Sequence, residues 1–202
     1  MTSTKIVLTG GPAAGKSEAI NYLRKQFTSR GYRVITLHET ATDMILDGLI
    51  PNETLIPFDF QNSLFEMQLF RENLYEKAMK CMEKKKTLVI CDRGIMDGKV
   101  FLKEGEFEEI MSRHGVDKPS LLKRYDAIFH LHTSASLGPD YYTLENNQAR
   151  SEDWKTALEQ DQALIDSWSP HPCHYEIAAQ IHLEDKLHAL DQAVLDFLEM
   201  NK

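Results

Sequence analysis

The sequence predicts an α/β fold in which a doubly wound parallel sheet carries helices on both faces. Short runs of aliphatic and β-branched residues alternate along the chain with longer stretches of helical periodicity. Four of these runs are almost continuously apolar, as expected for strands that are buried on both faces of a parallel sheet. A glycine-rich turn joins the first run to the first amphipathic stretch. Strands that alternate with helices in this way are typical of a doubly wound sheet.

Five strands are expected, of which the last has the weakest pattern; they cover residues 5–9, 33–37, 87–91, 127–131 and 174–177. Between them, helical stripes are expected at Ala19, Ile20, Leu23 and Phe27, and at Phe60, Leu64, Met67, Leu74, Ala78 and Cys81. Ser151 is the expected N-cap of a third helix that extends to Trp168, and a last helix covers 183–200. Residues 133–150 lack a clear pattern and are long for a plain connection, so they form a lid candidate.

The composition sets limits on the class of protein. With 202 residues, the chain 1–202 is expected to form a single domain that includes the lid-like segment 133–150. The net charge of −8 argues against a nucleic-acid polymer as the main ligand. No signal peptide or membrane span is visible, so a cytoplasmic location is expected. Cys81 and Cys91 are interpreted as small core residues, and the nearby His171, Cys173 and His174 as an ordinary loop, not a zinc site.

The stretch 10–18 carries the most specific signal in the chain. Its pattern is Gly10, four residues, then Gly15, Lys16 and Ser17, which matches the Walker A motif between a strand and a helix. Backbone N–H groups in such a loop surround phosphate oxygens, Lys16 reaches the β- and γ-phosphates, and the Ser17 hydroxyl binds Mg²⁺. The expected nucleotide-binding residues are Gly10, Gly11, Pro12, Ala13, Ala14, Gly15, Lys16, Ser17 and Glu18.

Acidic residues follow two other predicted strands. Asp92 comes directly after the third apolar run, where a Walker B carboxylate holds Mg²⁺, although the residue could also serve as a helix N-cap. Glu39 ends the second run, and the carboxyl ends of parallel strands converge on the ligand. Glu39 is therefore expected to take a proton from an acceptor hydroxyl or to join the Mg²⁺ shell, the alternative being a solvent-facing position. Arg93 meets a phosphate or pairs with a surface acid.

Further candidates lie in the segment "YYTLENNQARSE" and at the start of the long helix. Arg150 would neutralise charge on the transferring phosphoryl group, and Asn146 and Asn147 would contact ligand or anchor the lid. Capping and surface pairing are the alternatives for these three residues. Gln61, at the mouth of the expected site, is a candidate for binding the acceptor.

The stretches "TGGPAAGKS", "HETATDMI", "CDRGIMDG", "RYDAIFHL" and "YYTLENNQARSE", with Phe60–Gln61, resemble a family of small P-loop AAA-type ATPase domains. That family includes the ribosylnicotinamide-kinase domain of a bifunctional NAD-biosynthesis regulator and a GTP-binding protein of TRP-channel translocation. The resemblance implies a nucleoside-kinase-like sheet of order 2-3-1-4-5, with Lys16, Ser17, Asp92 and Arg150 in the roles given above. Ala178 and Ala179 stand where a polar base contact is expected, which leaves ATP and GTP both open.

Two functions fit these motifs. The first is a Mg²⁺-dependent kinase that uses ATP or GTP and a nucleoside-like acceptor. The second is a regulatory ATPase or switch that acts through a protein partner. A GTPase would have a DxxG motif, whereas Asp92 is followed by Arg93, Gly94 and Ile95, and no NKxD motif occurs in the chain. The kinase is the favoured prediction.

Overall fold

The computed structural model describes residues 3–142 and 153–200, which form a five-stranded sheet with helices on both faces. The strands are β1 (Ser3–Thr9), β2 (Arg33–Leu37), β3 (Thr87–Asp92), β4 (Ala127–Leu131) and β5 (His174–Ile177). All four strand pairs are parallel, and the spatial order is β2-β3-β1-β4-β5. The predicted fold class and strand order are therefore confirmed, and the chain has a P-loop NTPase architecture.

Seven α-helices connect the strands in the described part of the chain. They are α1 (Lys16–Ser29), α2 (Thr40–Leu46), α3 (Pro57–Lys80), α4 (Glu106–Arg113), α5 (Lys118–Leu122), α6 (Trp154–Trp168) and α7 (Leu183–Met200). Short 3₁₀ helices cover Ile95–Phe101, Ser134–Leu137 and Pro139–Tyr141. None of the described helices combines the length and the apolar character that crossing a bilayer requires.

Successive residues of each strand pack alternately into two hydrophobic layers, one on each face of the sheet. On β1, Ile6 and Leu8 belong to the layer covered by α1 and α7, whereas Val7 belongs to the layer on the other face. Because side chains alternate across a strand, a run such as Ile6–Leu8 must be apolar throughout to serve both layers. Phe27 and Trp168, on opposite faces, are fully buried. The sheet is thereby fixed between two cores, which holds its carboxyl-end loops in place.

Three of the sequence-based expectations for helices and cysteines were wrong. Met67 and Leu74 of α3 are exposed, because the buried side of that helix carries Gln61 and the ion-paired Glu72 in place of a continuous apolar stripe. Cys81 is exposed at the end of α3, although Cys91 is buried as expected.

The N-cap of α6 is Asp153, not Ser151, because the Asp153 carboxylate accepts hydrogen bonds from the amides of Lys155 and Thr156 at 2.8 and 2.9 Å. Ser151 itself lies outside the described residues. The first part of the lid-like segment is compact. Ala135 and Tyr142 are buried there and pack with Ala157 of α6. The lid role of 133–150 stays a prediction.

Candidate nucleotide-binding site

The glycine loop runs from the end of β1 to the first turn of α1. Gly10 has a φ of 148°, and a Cβ there would lie 2.2 Å from the carbonyl oxygen of Leu131, so only glycine fits. Gly15, with a φ of 79°, turns the chain into α1. The first bond of that helix joins the Ala19 amide to the Gly15 carbonyl at 3.0 Å. The amides of 16–18 therefore precede the hydrogen-bond ladder and are available to an anion.

The Lys16 ammonium lies folded over the loop. Its Nζ atom donates to the carbonyl oxygens of Gly10 at 2.9 Å and Gly11 at 3.3 Å. Burial, followed by the charge of Arg93, lowers the pKa of Lys16 to about 7, against the opposing effect of nearby carboxylates. A phosphate group at the loop would favour the protonated ammonium, because it adds negative charge beside Lys16.

Pro12 and Ala13 form the tip of the loop. Pro12 has no N–H to offer a phosphate, and its carbonyl instead accepts a hydrogen bond from the Thr133 hydroxyl. Ala13 has a φ of 58°, in the left-handed region that few residues other than glycine adopt. The surrounding contacts thus hold the loop in a conformation that the isolated sequence would disfavour.

Asp92 ends β3, beside β1, and its environment fits a cation. Of the described residues, none donates a hydrogen bond to the buried Oδ1 atom of Asp92. Burial and then the charge of Glu39 raise the pKa of this carboxyl above its usual range. Carboxylate and hydroxyl oxygens are the ligands that Mg²⁺ prefers, and Ser17 presents an exposed hydroxyl at the start of α1. These two residues fit the magnesium site that the sequence predicts.

Glu39 and Arg93 form an ion pair at the same edge of the sheet. The Arg93 Nε atom lies 2.5 Å from Glu39 Oε1, and the Thr42 hydroxyl donates to Glu39 Oε2 at 2.8 Å. Burial would raise the pKa of Glu39, but Arg93 and Thr42 outweigh it and lower that pKa. Arg93 has a φ of 65°, and its buried Nη1 atom has no acceptor among the described residues. A strained arginine with a spare donor at this position is suited to an anionic ligand.

A cavity of about 190 Å³ opens beside this ion pair. Its apolar wall comes from α2, α3 and the 3₁₀ helix after β3, with Ile45, Phe60, Leu64 and Phe101. Its polar side is formed by Glu39, Gln61, Gln68, Asp92 and Arg93. Gln61, predicted to lie at the mouth of the site, is buried and lines this cavity. The cavity is thus lined by the predicted metal residue Asp92, and the charges of its polar side act on the Lys16 ammonium of the loop.

Sequence reasoning missed three buried charged residues that support the site. Asp97 accepts hydrogen bonds from the Thr9 hydroxyl and the Trp168 indole, both at 2.7 Å, and from the Gly94 amide at 2.9 Å. It thereby joins the end of β1 to the loop after Asp92. Asp97 belongs to "CDRGIMDG", where only the first acid was singled out.

The other two missed residues lie on helices α6 and α7. Asp161 accepts a hydrogen bond from the Gly11 amide at 2.7 Å, and the Lys186 ammonium donates to the Ala14 carbonyl at 2.7 Å. Burial lowers the pKa of Lys186 to about 8. In the sequence, each of them is a charged residue at a position where the helical spacing of the apolar residues predicts burial.

Two other expectations concern residues away from the loop. The interpretation of His171 as part of an ordinary loop agrees with its contacts, because its ring nitrogens bond the Tyr125 carbonyl at 2.9 Å and the Cys173 amide at 3.1 Å. Arg150, Asn146 and Asn147 lie outside the described residues.

The Walker A loop, its helix and the carboxylate at the end of the neighbouring strand define a P-loop nucleotide-binding protein. The chain belongs to a family of AAA domains, whose model matches residues 5–186. No curated protein sequence matches the chain. Membership supports nucleotide binding, and it agrees with the family resemblance noted from the motifs.

Proposed function

We propose that the chain is a Mg²⁺-dependent phosphotransferase that moves the γ-phosphoryl group of ATP or GTP to a hydroxyl group of a nucleoside-like small molecule. The observation that carries this proposal is the cavity beside the Glu39–Arg93 pair, which Asp92 also lines and whose charged residues act on the Lys16 ammonium of the loop. A regulatory switch needs a nucleotide site and a responsive surface, but not a second enclosed site at the γ-phosphate end. A kinase needs that second site for its acceptor.

The donor half of the site is assigned to the loop and its metal residues. The amides of 16–18 and the Lys16 ammonium would hold the β- and γ-phosphates. Ser17 and Asp92 would hold Mg²⁺, which neutralises charge that develops on the phosphate oxygens. Arg93 Nη1, the donor without an acceptor among the described residues, would contact the transferring group or the acceptor.

The acceptor half of the site is assigned to Glu39 and the cavity. The acceptor hydroxyl would donate a hydrogen bond to Glu39, whose two oxygens retain lone pairs beyond those used by Arg93 and Thr42. Its oxygen bonds to the γ-phosphorus as the bond to the bridging oxygen of the donor breaks, so that the nucleoside diphosphate leaves. The hydroxyl proton passes to Glu39 or to water.

The cavity wall suggests what kind of acceptor enters. Phe60, Leu64 and Phe101 supply apolar surface, and the amides of Gln61 and Gln68 supply hydrogen-bonding groups. A planar ring with a polar edge matches this combination. Arg150, Asn146 and Asn147 keep the proposed roles of covering the phosphates and anchoring the ligand.

A regulatory ATPase with a protein partner is the second candidate function. It is favoured by exposed apolar side chains on α2 and the loop that follows, where Leu46 is 80% and Ile56 is 63% exposed. Apolar groups that are clustered on a surface are typical of an interaction site. These residues flank the elements that line the cavity.

Incubation with γ-labelled ATP and GTP against a panel of nucleosides and vitamins distinguishes the two functions. We expect a labelled product with at least one acceptor and none with the Lys16→Ala variant, because the variant lacks the ammonium that holds the transferred phosphate. Release of inorganic phosphate alone, at one rate with every acceptor, would contradict the kinase and favour the regulatory ATPase. Because every compound of the panel is tested in parallel, the acceptor is identified by the product that carries the label.

A further inference from the structure

A cluster of histidines and carboxylates contacts the glycine loop from β4, β5 and α6, whereas the cavity is lined by residues that follow β2 and β3. At its centre is Asp161 of α6, which is only 3% exposed. The Oδ1 atom of Asp161 accepts from the Gly11 amide at 2.7 Å, the His130 Nε2 atom at 3.1 Å and the Thr133 amide at 3.3 Å. The approach is close, because a Cβ on Gly11 would lie 2.8 Å from that oxygen. Asp161 therefore fixes the loop from a distant helix.

His132 bridges Asp161 to a second carboxylate. Its Nδ1 atom lies 3.0 Å from Asp161 Oδ2, and its Nε2 atom lies 2.9 Å from Glu176 Oε2. Ionised carboxylates only accept hydrogen bonds, so both bonds form together only when both ring nitrogens carry a proton. The arrangement thus selects the imidazolium form of His132.

Three further titratable side chains surround the cluster: His130, His174 and Lys186. His130 of β4 lies 5.2 Å from the His132 ring, measured between ring centroids, and His174 of β5 lies 6.4 Å from the His130 ring. The Lys186 ammonium of α7 donates to the His132 carbonyl at 2.5 Å and to the Ala14 carbonyl of the loop. The cluster therefore contacts the glycine loop at two points, through Asp161 and through Lys186.

The atoms of His130, His132 and Asp161 lie within 4.8 Å of one another, a spacing that a metal ion would also accept. We assign them as a hydrogen-bonded cluster because Asp161 Oδ1 already accepts three N–H donors. A metal ion on that oxygen would displace the bond that holds Gly11.

We propose that Asp161 is a positioning residue for nucleotide binding, which holds the turn of the glycine loop through the Gly11 amide, and that protonated His132 holds Asp161 in place. Nucleotide in the loop and the proton on His132 then strengthen each other's binding, since each favours the same arrangement of Asp161. This inference rests on the nucleotide-binding part of the proposed function and is independent of the acceptor.

The electrostatics agree with this geometry. The hydrogen bond to Asp161 raises the pKa of His132 above its usual range; burial opposes this, and Glu176 adds to it. Burial would raise the pKa of Asp161, but the bonds from His130 and His132 outweigh it and hold that pKa well below its usual range. Because the raised pKa belongs to the folded, clamped state, this contribution is present at low pH and is lost as the pH rises through the pKa of His132.

The first test compares the dissociation constant of Mg²⁺-ATP at about pH 6 and pH 8.5 by calorimetry. The wild type should lose about fivefold more affinity over this range than His132→Gln, in which the titrating ring is absent. Titration of Lys16 and of ATP itself affects both proteins equally. His188→Gln, which removes an exposed histidine bonded to Tyr22, should keep the wild-type slope. Equal slopes in the wild type and His132→Gln would overturn the inference.

Asp161→Asn makes the test sharper because it should change the sign of the effect. An asparagine keeps Oδ1 for Gly11 but presents an NH₂ group to His132, which can accept only when that ring is neutral. This variant should therefore lose less affinity than His132→Gln as the pH rises. A slope like that of the wild type would contradict the role of the carboxylate.

The second test needs only the unmodified chain, so it holds even where a variant fails to fold. Reciprocity requires that saturating Mg²⁺-ATP raises the pH at which the His132 ring titrates in an NMR experiment. An unchanged midpoint in the presence of bound ATP would overturn the inference. A chain that binds no ATP at all contradicts the nucleotide site itself, so the two failures are distinguishable.

Discussion

Glu72 of helix α3 and Asp92 at the end of β3 are both shielded acidic residues, and their surroundings differ in one respect. The Glu72 side chain, 1% exposed, accepts from the Lys5 ammonium at 3.2 Å, the Arg124 Nε atom at 3.0 Å and the Tyr125 hydroxyl at 2.6 Å. Asp92 is also shielded from water, yet its Oδ1 atom has no donor in the described part of the chain. The protein supplies hydrogen-bond donors to the Glu72 carboxylate, whereas the Oδ1 atom of Asp92 is available to a ligand such as a cation.

The same difference extends to their neighbours. A groove of about 470 Å³ lies at the amino ends of the strands, larger than the cavity at the carboxyl ends. On its wall, Lys5, Glu76, Arg124 and Asp126 are hydrogen-bonded to the protein. At the other end, Arg93 keeps a left-handed backbone and a buried donor for which the described residues offer no acceptor. Size therefore does not identify the functional end of the sheet, whereas unsatisfied charge does.

The largest effect is expected for Glu39→Gln, at the unsatisfied end. Loss of a positioned carboxylate typically reduces a rate by about 10²- to 10⁴-fold, so phosphoryl transfer to the best acceptor should decrease by that factor. Donor affinity should change little, because we assign Glu39 to the acceptor half of the proposed site. Initial rates with labelled ATP and a Kd from calorimetry provide the two measurements.

Asp43→Asn is the matched control for Glu39→Gln. Asp43 is an acid on the adjoining helix α2 that also pairs with an arginine, Arg71, at 2.7 Å. We expect its variant to retain transfer at the wild-type rate. Transfer at the wild-type rate by Glu39→Gln would remove Glu39 from the chemistry.

For the satisfied acid, Glu72→Gln should lower the free energy of unfolding by about 3 kcal/mol. The substitution leaves Arg124, whose side chain is 17% exposed, without a counter-charge and removes one of the two acids that pair with the buried Lys5. Breaking a buried ion pair in this way is strongly destabilising. Glu76→Gln is the control, because Glu76 contacts the same Lys5 at 2.6 Å but its side chain is 43% exposed. Its effect should stay below about 1 kcal/mol. Urea unfolding measures both, and equal values would refute the role assigned to burial.

The sequence was sufficient for the parts of the molecule that depend on local pattern. The five strands and helix α1 follow from continuous apolar runs and from regular spacing, and the glycine loop follows from its position between them. Asp92 and Glu39 could be placed at one edge because parallel strands end on the same side. These features require only neighbours in the sequence and the rule for parallel sheets.

Long-range polar contacts could not be predicted in this way. Asp161 and Lys186 reach the loop across 150 and 172 residues of chain, respectively, and on their own helices they look like misplaced charges. Similarly, Glu72 is buried on the side of α3 where a continuous apolar stripe was expected. A buried charge becomes intelligible only when its partners from other elements are known.

The most direct test of the comparison is the thermal unfolding of Asp92→Asn with and without Mg²⁺-ATP. Burial raises the pKa of Asp92, so the ionised carboxylate is less stable in the folded chain than in the unfolded chain. This cost to folding is absent at low pH, where the carboxyl is protonated, and it appears as the pH rises. Without ligand at neutral pH, the variant should therefore be more stable than the wild type by about 1 kcal/mol, or roughly 2–4 °C.

With ligand the order should reverse. Mg²⁺-ATP at 100 times its Kd should stabilise the wild type by about 2.7 kcal/mol, or roughly 5–10 °C. Lys16→Ala should lose most of this increase, and Asp92→Asn should lose the part that depends on Mg²⁺. We expect the two unfolding curves to exchange places when Mg²⁺-ATP is added. An Asp92→Asn protein that is less stable than the wild type without ligand, and that gains as much from Mg²⁺-ATP, would contradict it.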